Sequence, residues 1–469
     1  MHALSADDIS VAKRTIVAMN SILSSVLNLN GARPVLKDAT AVRAQIDTIV
    51  RLAVFGDPSE QALARYAIHT AAAQLGAIPA SIAGLYSARG RGDAGGFTVP
   101  AVNIRGMAYD MSCALFRAMK ATDATATVFE LARSELGYTH QEPAETAAVV
   151  LAAAIAEGYV GPVFIQGDHY QANAKKFMAD PEGESKALED LIRKAVAAQF
   201  YCIDIDASTL VDLSFDKVTD QQAPNAQLTA RLAKLIRALE PRGVTISIGG
   251  EIGEVGKDNS TVEELTAYVD GFREIVGADT EGVSKVSVQT GTSHGGIALP
   301  DGTIKSVAID FETLRELSRI GRDRYGMAGA VQHGASTLPD ELFHRFPEVE
   351  TAEIHLATGF QNIVMDHARF PAALLAEMRD WTRVYLADEA TAGETDIQFF
   401  YKTRKKCWGP FKEQTWNLPP EIRAELNGAL QQKFEYLIGQ LKAGATRAIT
   451  LKHVTQPIVE IEPPLISKV

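Results

Sequence analysis

Apolar residues form two kinds of run along the middle of the chain, from about residue 97 to residue 390. Short runs that are apolar almost throughout predict strands that are buried on both faces, as in a parallel sheet. Longer runs between them, such as 184–199 and 223–239, repeat apolar residues with the period of a helix. The eight predicted strands cover residues 97–103, 126–132, 163–166, 201–206, 244–251, 285–289, 328–332 and 353–356.

Regular alternation of eight strands with helices predicts an α/β fold, a closed (β/α)8 TIM barrel. An open doubly wound sheet is the alternative, but it needs a glycine-rich phosphate turn after an early strand, and none is present in the sequence. Residues 1–96 are expected to form a helical N-terminal extension, with helical periodicity from about 6 to 76, and residues 97–390 the catalytic barrel. Residues 391–469 form a C-terminal extension, with a helix over 419–441 and an extended end from residue 452.

Composition narrows the class of protein. The chain has 469 residues, a net charge of -12 and no basic stripe, so we expect no nucleic-acid partner. No apolar run is long enough for a membrane helix, and the first 15 residues lack the apolar core of a signal peptide. Three widely spaced cysteines do not indicate disulfides or a cysteine zinc site, so a cytoplasmic location is expected.

Charged residues and histidines follow the predicted strands at their C-terminal ends. Because these ends meet at one mouth of a barrel, residues far apart in sequence are expected to converge there. Several imidazoles at one mouth favour a site for zinc or another divalent metal. The alternative is that the third strand ends in a solvated turn in which Asp168 caps a helix. The residues at these strand ends are Asp168, His169, Asp206, Glu251, His294, His333 and His355.

Glycines next to two of these histidines bring backbone N–H groups to the same mouth. Gly295 follows His294, and Gly334 and Ser336 follow His333. Late loops of such barrels often hold phosphate with N–H groups, so phosphate binding is a hypothesis here. The alternative is that these segments are simple turns between strand and helix. Asp206 and Glu251 are expected to orient histidines or to ligate a metal themselves.

An ordered set of short segments between about residues 97 and 385 resembles the class II, metal-dependent ketose-bisphosphate aldolases. The resemblance implies a (β/α)8 barrel in which His169, His294 and His333 hold the catalytic metal. It implies that Asp168 moves the proton on the aldehyde-derived oxygen and that Glu251 and Asp206 lie near the metal. It also implies substrate or phosphate contacts from Asn103, His355 and Thr358. The segments are 99–103, 167–169, 205–208, 250–253, 293–295, 333–336 and 358–361.

Three features depart from that family's pattern or resemble another group. The loop after the fifth strand is short, so Glu254, or else Asp258, is the candidate for the glutamate that moves the substrate proton. Where the family has an Asn-x-Asp pattern after the eighth strand, this chain has His355 and Ala357. Residues 129–130, 137–139 and 167–169 also resemble the accessory Z-type subunits of tagatose-bisphosphate aldolases.

The expected function is therefore that of a class II aldolase, a lyase of carbohydrate metabolism such as glycolysis. It would reversibly cleave a ketose, expected to be phosphorylated, through a metal-stabilised enediolate. A metal-dependent sugar epimerase or isomerase and a non-catalytic aldolase partner subunit are the alternatives. The expected partners are a small sugar or sugar-phosphate substrate and further copies of the same chain in a homo-oligomer, with no membrane.

Overall fold

The computed structural model describes residues 27–28, 35–253, 258–277, 279–291, 298–303 and 308–464. Its N-terminal part contains an antiparallel pair of short strands, β1 (Leu27–Asn28) and β2 (Val35–Leu36). The prediction of helix throughout 6–76 is wrong at this pair, because the two strands bond to each other through backbone groups. The helical run predicted from residue 6 lies outside the described residues as far as residue 26.

The sequence pattern predicts helices over 41–55 and 59–75, and two helices have nearly these bounds, α1 (Ala39–Phe55) and α2 (Pro58–Gln74). Asp57 begins α2 with a capping box, accepting from the backbone of Ser59 and Glu60. Both helices pack against α6 (Pro143–Glu157), whose sequence is rich in alanine and apolar around most of its circumference. Such a helix must be covered on all sides, so the N-terminal helices bury the face of α6 that the barrel leaves open.

A short strand, β3 (Ala77–Pro79), and a helix, α3 (Ala83–Gly90), lead into the barrel. Eight parallel strands then form a closed sheet in the order β4 to β11, with β4 paired to β11 and β6 paired to β7. The predicted (β/α)8 barrel is thereby confirmed. The strands are β4 (Val99–Asn103), β5 (Val128–Ala132), β6 (Gly161–Gln171), β7 (Cys202–Asp206), β8 (Ser247–Glu251), β9 (Lys285–Val288), β10 (Ala330–Gln332) and β11 (Glu353–Leu356).

Helices between these strands form the outer layer of the barrel. The apolar period of the sequence predicts a helix over 262–276, between the fifth and sixth strands, and another over 310–320. The first has these bounds in the structure, whereas the second continues to Tyr325. The helices are α4 (Ala108–Ala121), α5 (Arg133–Tyr138), α6, α7 (Ala174–Ala179), α8 (Pro181–Ala197), α9 (Val218–Leu239), α10 (Val262–Val276), α11 (Phe311–Tyr325), α12 (Arg345–Glu348) and α13 (Thr358–Met365). Short 3-10 turns cover Ser208–Leu210 and Asp340–Leu342.

The chain after the barrel is mainly helical. Residues Arg404–Trp408 form a 3-10 turn that is held at both ends. Arg404 pairs with Asp366, and Trp408 donates to Gln361 at 3.0 Å. The end predicted to be extended begins later than expected, because a helix continues to His453. These elements are α14 (Ala372–Tyr385), a 3-10 turn Ala387–Glu389, α15 (Asp396–Thr403), α16 (Lys412–Trp416), α17 (Pro420–Gln440) and α18 (Arg447–His453). Among the described residues, no helix is long and apolar enough to cross a membrane.

Candidate active site

Six of the predicted site residues meet at the C-terminal end of the barrel. They lie on or beside β6, β7, β8, β10 and β11, and most are buried. A cavity of about 700 Å³ opens above them. The six residues are Asp168, His169, Asp206, Glu251, His333 and His355. His294, Glu254 and Gly295 lie outside the described residues.

The prediction that β6 ends before Asp168 is wrong, because the strand continues to Gln171. Its pairing with β7 shifts between Gly167 and Tyr170, and His169 has a left-handed backbone with φ 39°. Successive side chains of a regular strand point to opposite faces, but a bulge of this kind re-aims one of them. Asp168 and His169, although adjacent, therefore both line the cavity.

His169 is held through one ring nitrogen by two carboxylates. Its Nδ1 lies 3.2 Å from Asp206 and 3.1 Å from Glu251, so these residues orient the imidazole in this structure. Burial, reinforced by Asp206, raises the pKa of Glu251 to about 7. Burial also acts to raise the pKa of Asp206, but hydrogen bonds from His169 and Ser208 outweigh it and lower that pKa.

His333 approaches His169 from β10. Its Nδ1 lies 3.0 Å from Nε2 of His169, while its Nε2 is 2.9 Å from the hydroxyl of Ser287. Two imidazole nitrogens bound to one tetrahedral zinc are about 3.3 Å apart, given Zn–N bonds of about 2.0–2.1 Å. The observed separation is close to this value, and both rings have their other nitrogen held by an oxygen. Both features fit a metal-binding pair.

The charge around His169 also favours a cation. Burial acts to lower the pKa of His169, but Asp168 and Glu251 outweigh it and raise the pKa well above its usual value. A site that attracts a proton so strongly also attracts a metal ion, since both compete for the same lone pair. Ligand atoms of Asp168, His169 and His333 lie within 4.8 Å of one another, so the described donors fit a divalent ion.

Asp168 has a second imidazole partner, His355 on β11. Nδ1 of His355 lies 3.2 Å from Asp168 and 2.5 Å from Glu130, a residue that the sequence analysis missed. Burial and the nearby Asp168 raise the pKa of Glu130 to about 8. Burial acts in the same direction on Asp168, but His169 and His355 outweigh it and hold its pKa below the usual range. Asp168 is therefore the more acidic of the two carboxyl groups.

Below His355, the barrel interior contains an ionic network that was also missed. Nζ of Lys285 lies 2.8 Å from Asp204, and it also contacts Glu353. Glu353 in turn lies 2.6 Å from Nε2 of His355. Each of these three residues is a charged residue within a strand that is buried along its whole length, which is the sequence feature that could have revealed them.

The predicted substrate-binding residues Asn103, Gly334, Ser336, His355 and Thr358 all line the cavity. Two of them also support their surroundings: Ser336 accepts from the backbone of Gly359 at 3.2 Å, and Thr358 accepts from a guanidinium at 2.9 Å. The cavity also contains residues that the sequence analysis did not single out. They come from the loop after β4, from α5 and from the C-terminal segment, and include Arg105, Glu135, Tyr138, Glu394, Gln398, Tyr401, Lys402 and Lys405.

Comparison with known proteins identifies one family. The family model described as class II fructose-bisphosphate aldolase matches residues 90–405. No curated protein matches the chain.

Several solved structures are similar in fold. A protein from Sinorhizobium meliloti 1021, described as a probable tagatose 6-phosphate kinase, is 17% identical with a TM-score of 0.50, over 76% of this chain and 93% of that one. The YdjI aldolase from Escherichia coli K12 is 13% identical with a TM-score of 0.47, over 78% and 98% of the two chains. A fructose-bisphosphate aldolase from Campylobacter jejuni is 17% identical with a TM-score of 0.47, over 77% and 94%. At its identity, the first of these similarities supports the fold alone.

Proposed function

The chain belongs to the class II fructose-bisphosphate aldolase family, and we propose that it is a metal-dependent lyase that cleaves a phosphorylated ketose. The observation that carries this proposal is the convergence of imidazole nitrogens from His169 and His333 beside the Asp168 carboxylate, with the three ligand atoms within 4.8 Å of one another, at a cavity of about 700 Å³. His294, the third predicted histidine ligand, completes the proposed set. The expected ion is zinc or another divalent metal.

Asp206, Glu251 and Ser287 have the supporting role in this proposal. They contact the ring nitrogens of His169 and His333 that face away from the pair, which fixes the orientation of each imidazole. When bound, a divalent ion at this position supplies Lewis-acid polarisation of the ketose carbonyl. Of the two roles that the sequence suggests for Asp206 and Glu251, metal ligation and orientation of a histidine, we propose the second.

Asp168 is the proposed base. Its low pKa keeps it ionised near neutral pH, so it can accept the proton of the substrate hydroxyl whose carbon becomes the aldehyde. As that proton leaves, the C–C bond breaks, the hydroxyl oxygen becomes a carbonyl oxygen, and the electron pair passes to the other fragment. Glu254 is the proposed donor of the proton that this second fragment requires. In condensation the same steps run in reverse.

His355 positions Asp168 in this scheme. Its Nδ1 lies within reach of both Asp168 and Glu130, and its Nε2 is fixed by Glu353. His355 stands where the family pattern has an asparagine. The proposed contacts to the sugar and its phosphate are Asn103, Gly295, Gly334, Ser336 and Thr358.

The test measures metal content and triose release on the same variants. Wild-type protein should contain about one divalent ion per chain and release a triose phosphate from a phosphorylated ketose. His333→Ala should lose the ion, whereas Asp168→Asn should keep it and lose turnover by about 100-fold or more. His344→Ala is the matched control, because that histidine is exposed at the residue before α12. Full metal occupancy in His333→Ala, or near-normal cleavage by Asp168→Asn, would refute the assignment. An isomerised ketose without triose release would favour an epimerase or isomerase.

A further inference from the structure

One lysine of the cavity wall has no counter-charge of its own. Lys405 is half-buried in the 3-10 turn after α15 and lines the cavity. Within the part of the chain that the structure describes, no hydrogen bond or ion pair is formed by its ammonium group. Its neighbours differ: Lys402 pairs with Glu394 at 2.7 Å, and Lys406 pairs with Glu389 at 2.5 Å.

A second cation, Arg105, raises the free-energy cost of a charged Lys405 at this position. The pKa of Lys405 is lowered first by burial and then by the positive charge of Arg105. Arg105 is 6% exposed and lines the same cavity. Two cations that share a partly buried wall repel each other, so the arrangement favours an anion between or beside them.

The carboxylates that act on Lys405, Glu135 and Glu389, are engaged by other groups, and Glu389 pairs with Lys406. Glu135 accepts from Arg105 at 3.0 Å and from Tyr138 at 3.1 Å through one oxygen. Its other oxygen accepts from the side chain of Asn103 and the backbone of Ala132. Its negative charge therefore balances Arg105, and the charge of Lys405 remains in excess on this wall.

The backbone around Lys405 is fixed. The preceding residue, Arg404, bonds to Asp366 and to Asn362, and Trp408 donates to Gln361. The backbone of Lys405 is consequently held at the cavity by its neighbours and is not part of a free loop. Arg105 is fixed in the same way, since it bonds to Glu135 and to Thr358.

We propose that Lys405 and Arg105 form a subsite that binds an oxyanion group, either a phosphate ester or a carboxylate, on the substrate. The proposal rests on the proposed function for the identity of the substrate as a sugar, but the subsite itself can be tested without catalysis. Lys405 supplies the uncompensated charge, and Arg105 supplies a rigid guanidinium beside it. The C-terminal segment thereby contributes a specificity residue to the barrel's cavity.

The experiment compares Lys405→Met with Lys406→Met, a matched change in the same turn at a lysine that is already paired. Binding of inorganic phosphate and of acetate is measured by titration calorimetry at constant ionic strength. Wild type and Lys406→Met should bind one of these anions with similar Kd, and Lys405→Met should bind it about ten- to a hundred-fold more weakly. Lys405→Arg should retain most of the affinity. The anion whose affinity is lost identifies the group as a phosphate or a carboxylate.

Thermal stability provides a second measurement. In chloride buffer, Lys405→Met should melt at or above the temperature of wild type, because it removes an unpaired, partly buried charge. Added phosphate or acetate should then raise the Tm of wild type and not that of the variant. Equal anion affinity in wild type and Lys405→Met, or no binding by wild type to either anion, would overturn the proposal. Absence of triose release with Lys405-dependent anion binding would instead count against the proposed function alone.

Discussion

Replacing Lys285 by methionine is expected to destabilise the barrel by about 3–5 kcal/mol. The side chain of Lys285 is 1% exposed, and its Nζ lies 2.8 Å from Asp204 and 2.9 Å from the amide oxygen of Gln166, beside Glu353. Methionine fills most of the same volume but brings no charge. The change therefore tests the charge of the network and leaves the packing nearly intact.

The magnitude follows from the charges that remain. Asp204 is 5% exposed and Glu353 is fully buried, so neither carboxylate can turn to water. His355 lies 2.6 Å from Glu353 and can compensate one of them. The second carboxylate is left uncompensated, and an unpaired buried charge costs about 3–5 kcal/mol. In Lys285→Met/Glu353→Gln both partners are neutral, so the double variant should be more stable than the sum of the single changes by about 1 kcal/mol or more.

Urea unfolding, followed by far-UV circular dichroism and by tryptophan fluorescence, measures these free energies where the two transitions coincide. Lys186→Met is the control, since that side chain is 70% exposed and forms a surface pair with Asp190. It should change stability by no more than about 0.5 kcal/mol. A loss below about 1 kcal/mol for Lys285→Met, or additive single changes in the double variant, would refute the reasoning that a charged network fixes the barrel interior.

His69 and Gly106 carry two further predictions. His69 is buried, with its Nδ1 2.8 Å from the side-chain oxygen of Gln199, and burial lowers the pKa of His69 to about 4. Because a histidine of the unfolded chain has a pKa of about 6.5, the contribution of neutral His69 to the free energy of unfolding is complete above about pH 6.5. This contribution falls by up to about 3 kcal/mol as the pH drops towards 4. His69→Gln should flatten this part of the curve of unfolding free energy against pH, and an unchanged slope would contradict the assignment. Gly106→Ala would place a Cβ 2.3 Å from the ring of Trp408 and should lower the free energy of unfolding in urea by about 1–3 kcal/mol. Gly428→Ala is the control, because a Cβ added there meets no atom within 4 Å, and it should be neutral or stabilising. Equal effects of the two changes would disprove the clash.

The barrel was predictable because its strands are buried on both faces. Strand β11 and helix α10 have the predicted bounds, since apolar runs and a Thr261 cap mark them clearly. Strand β6 was not predicted correctly, because a left-handed residue at position 169 lets the strand continue past a charged residue. The local pattern of apolar and polar residues does not indicate such a bulge. The proposed domain boundaries at residues 96 and 390 stay a prediction.

The site residues that could be predicted are those at the C-terminal ends of predicted strands. Asp168, His169 and His333 could be identified because a charged or imidazole side chain at the C-terminal end of a barrel strand is out of place in a core. Glu130 was missed although it is a polar residue in an apolar strand. Lys405 could not be found, because it lies in a basic run that resembles a solvated surface. Only the folded chain brings it to a cavity whose other lining residues begin at Asn103 and include the ends of several barrel strands.

The distribution of charge across the cavity indicates how a substrate should enter it. At the buried end, Asp168 and Glu130 present carboxyl groups, whereas Arg105 and Lys405 present cations on another part of the wall. Two like charges 4 Å apart cost about 4 kcal/mol at an effective dielectric of about 20, so an acidic substrate group placed beside Asp168 would be strongly disfavoured. The same group beside Lys405 is attracted. We therefore expect the acidic end of the substrate to point towards Lys405, which leaves its carbonyl and hydroxyl groups to face His333 and Asp168.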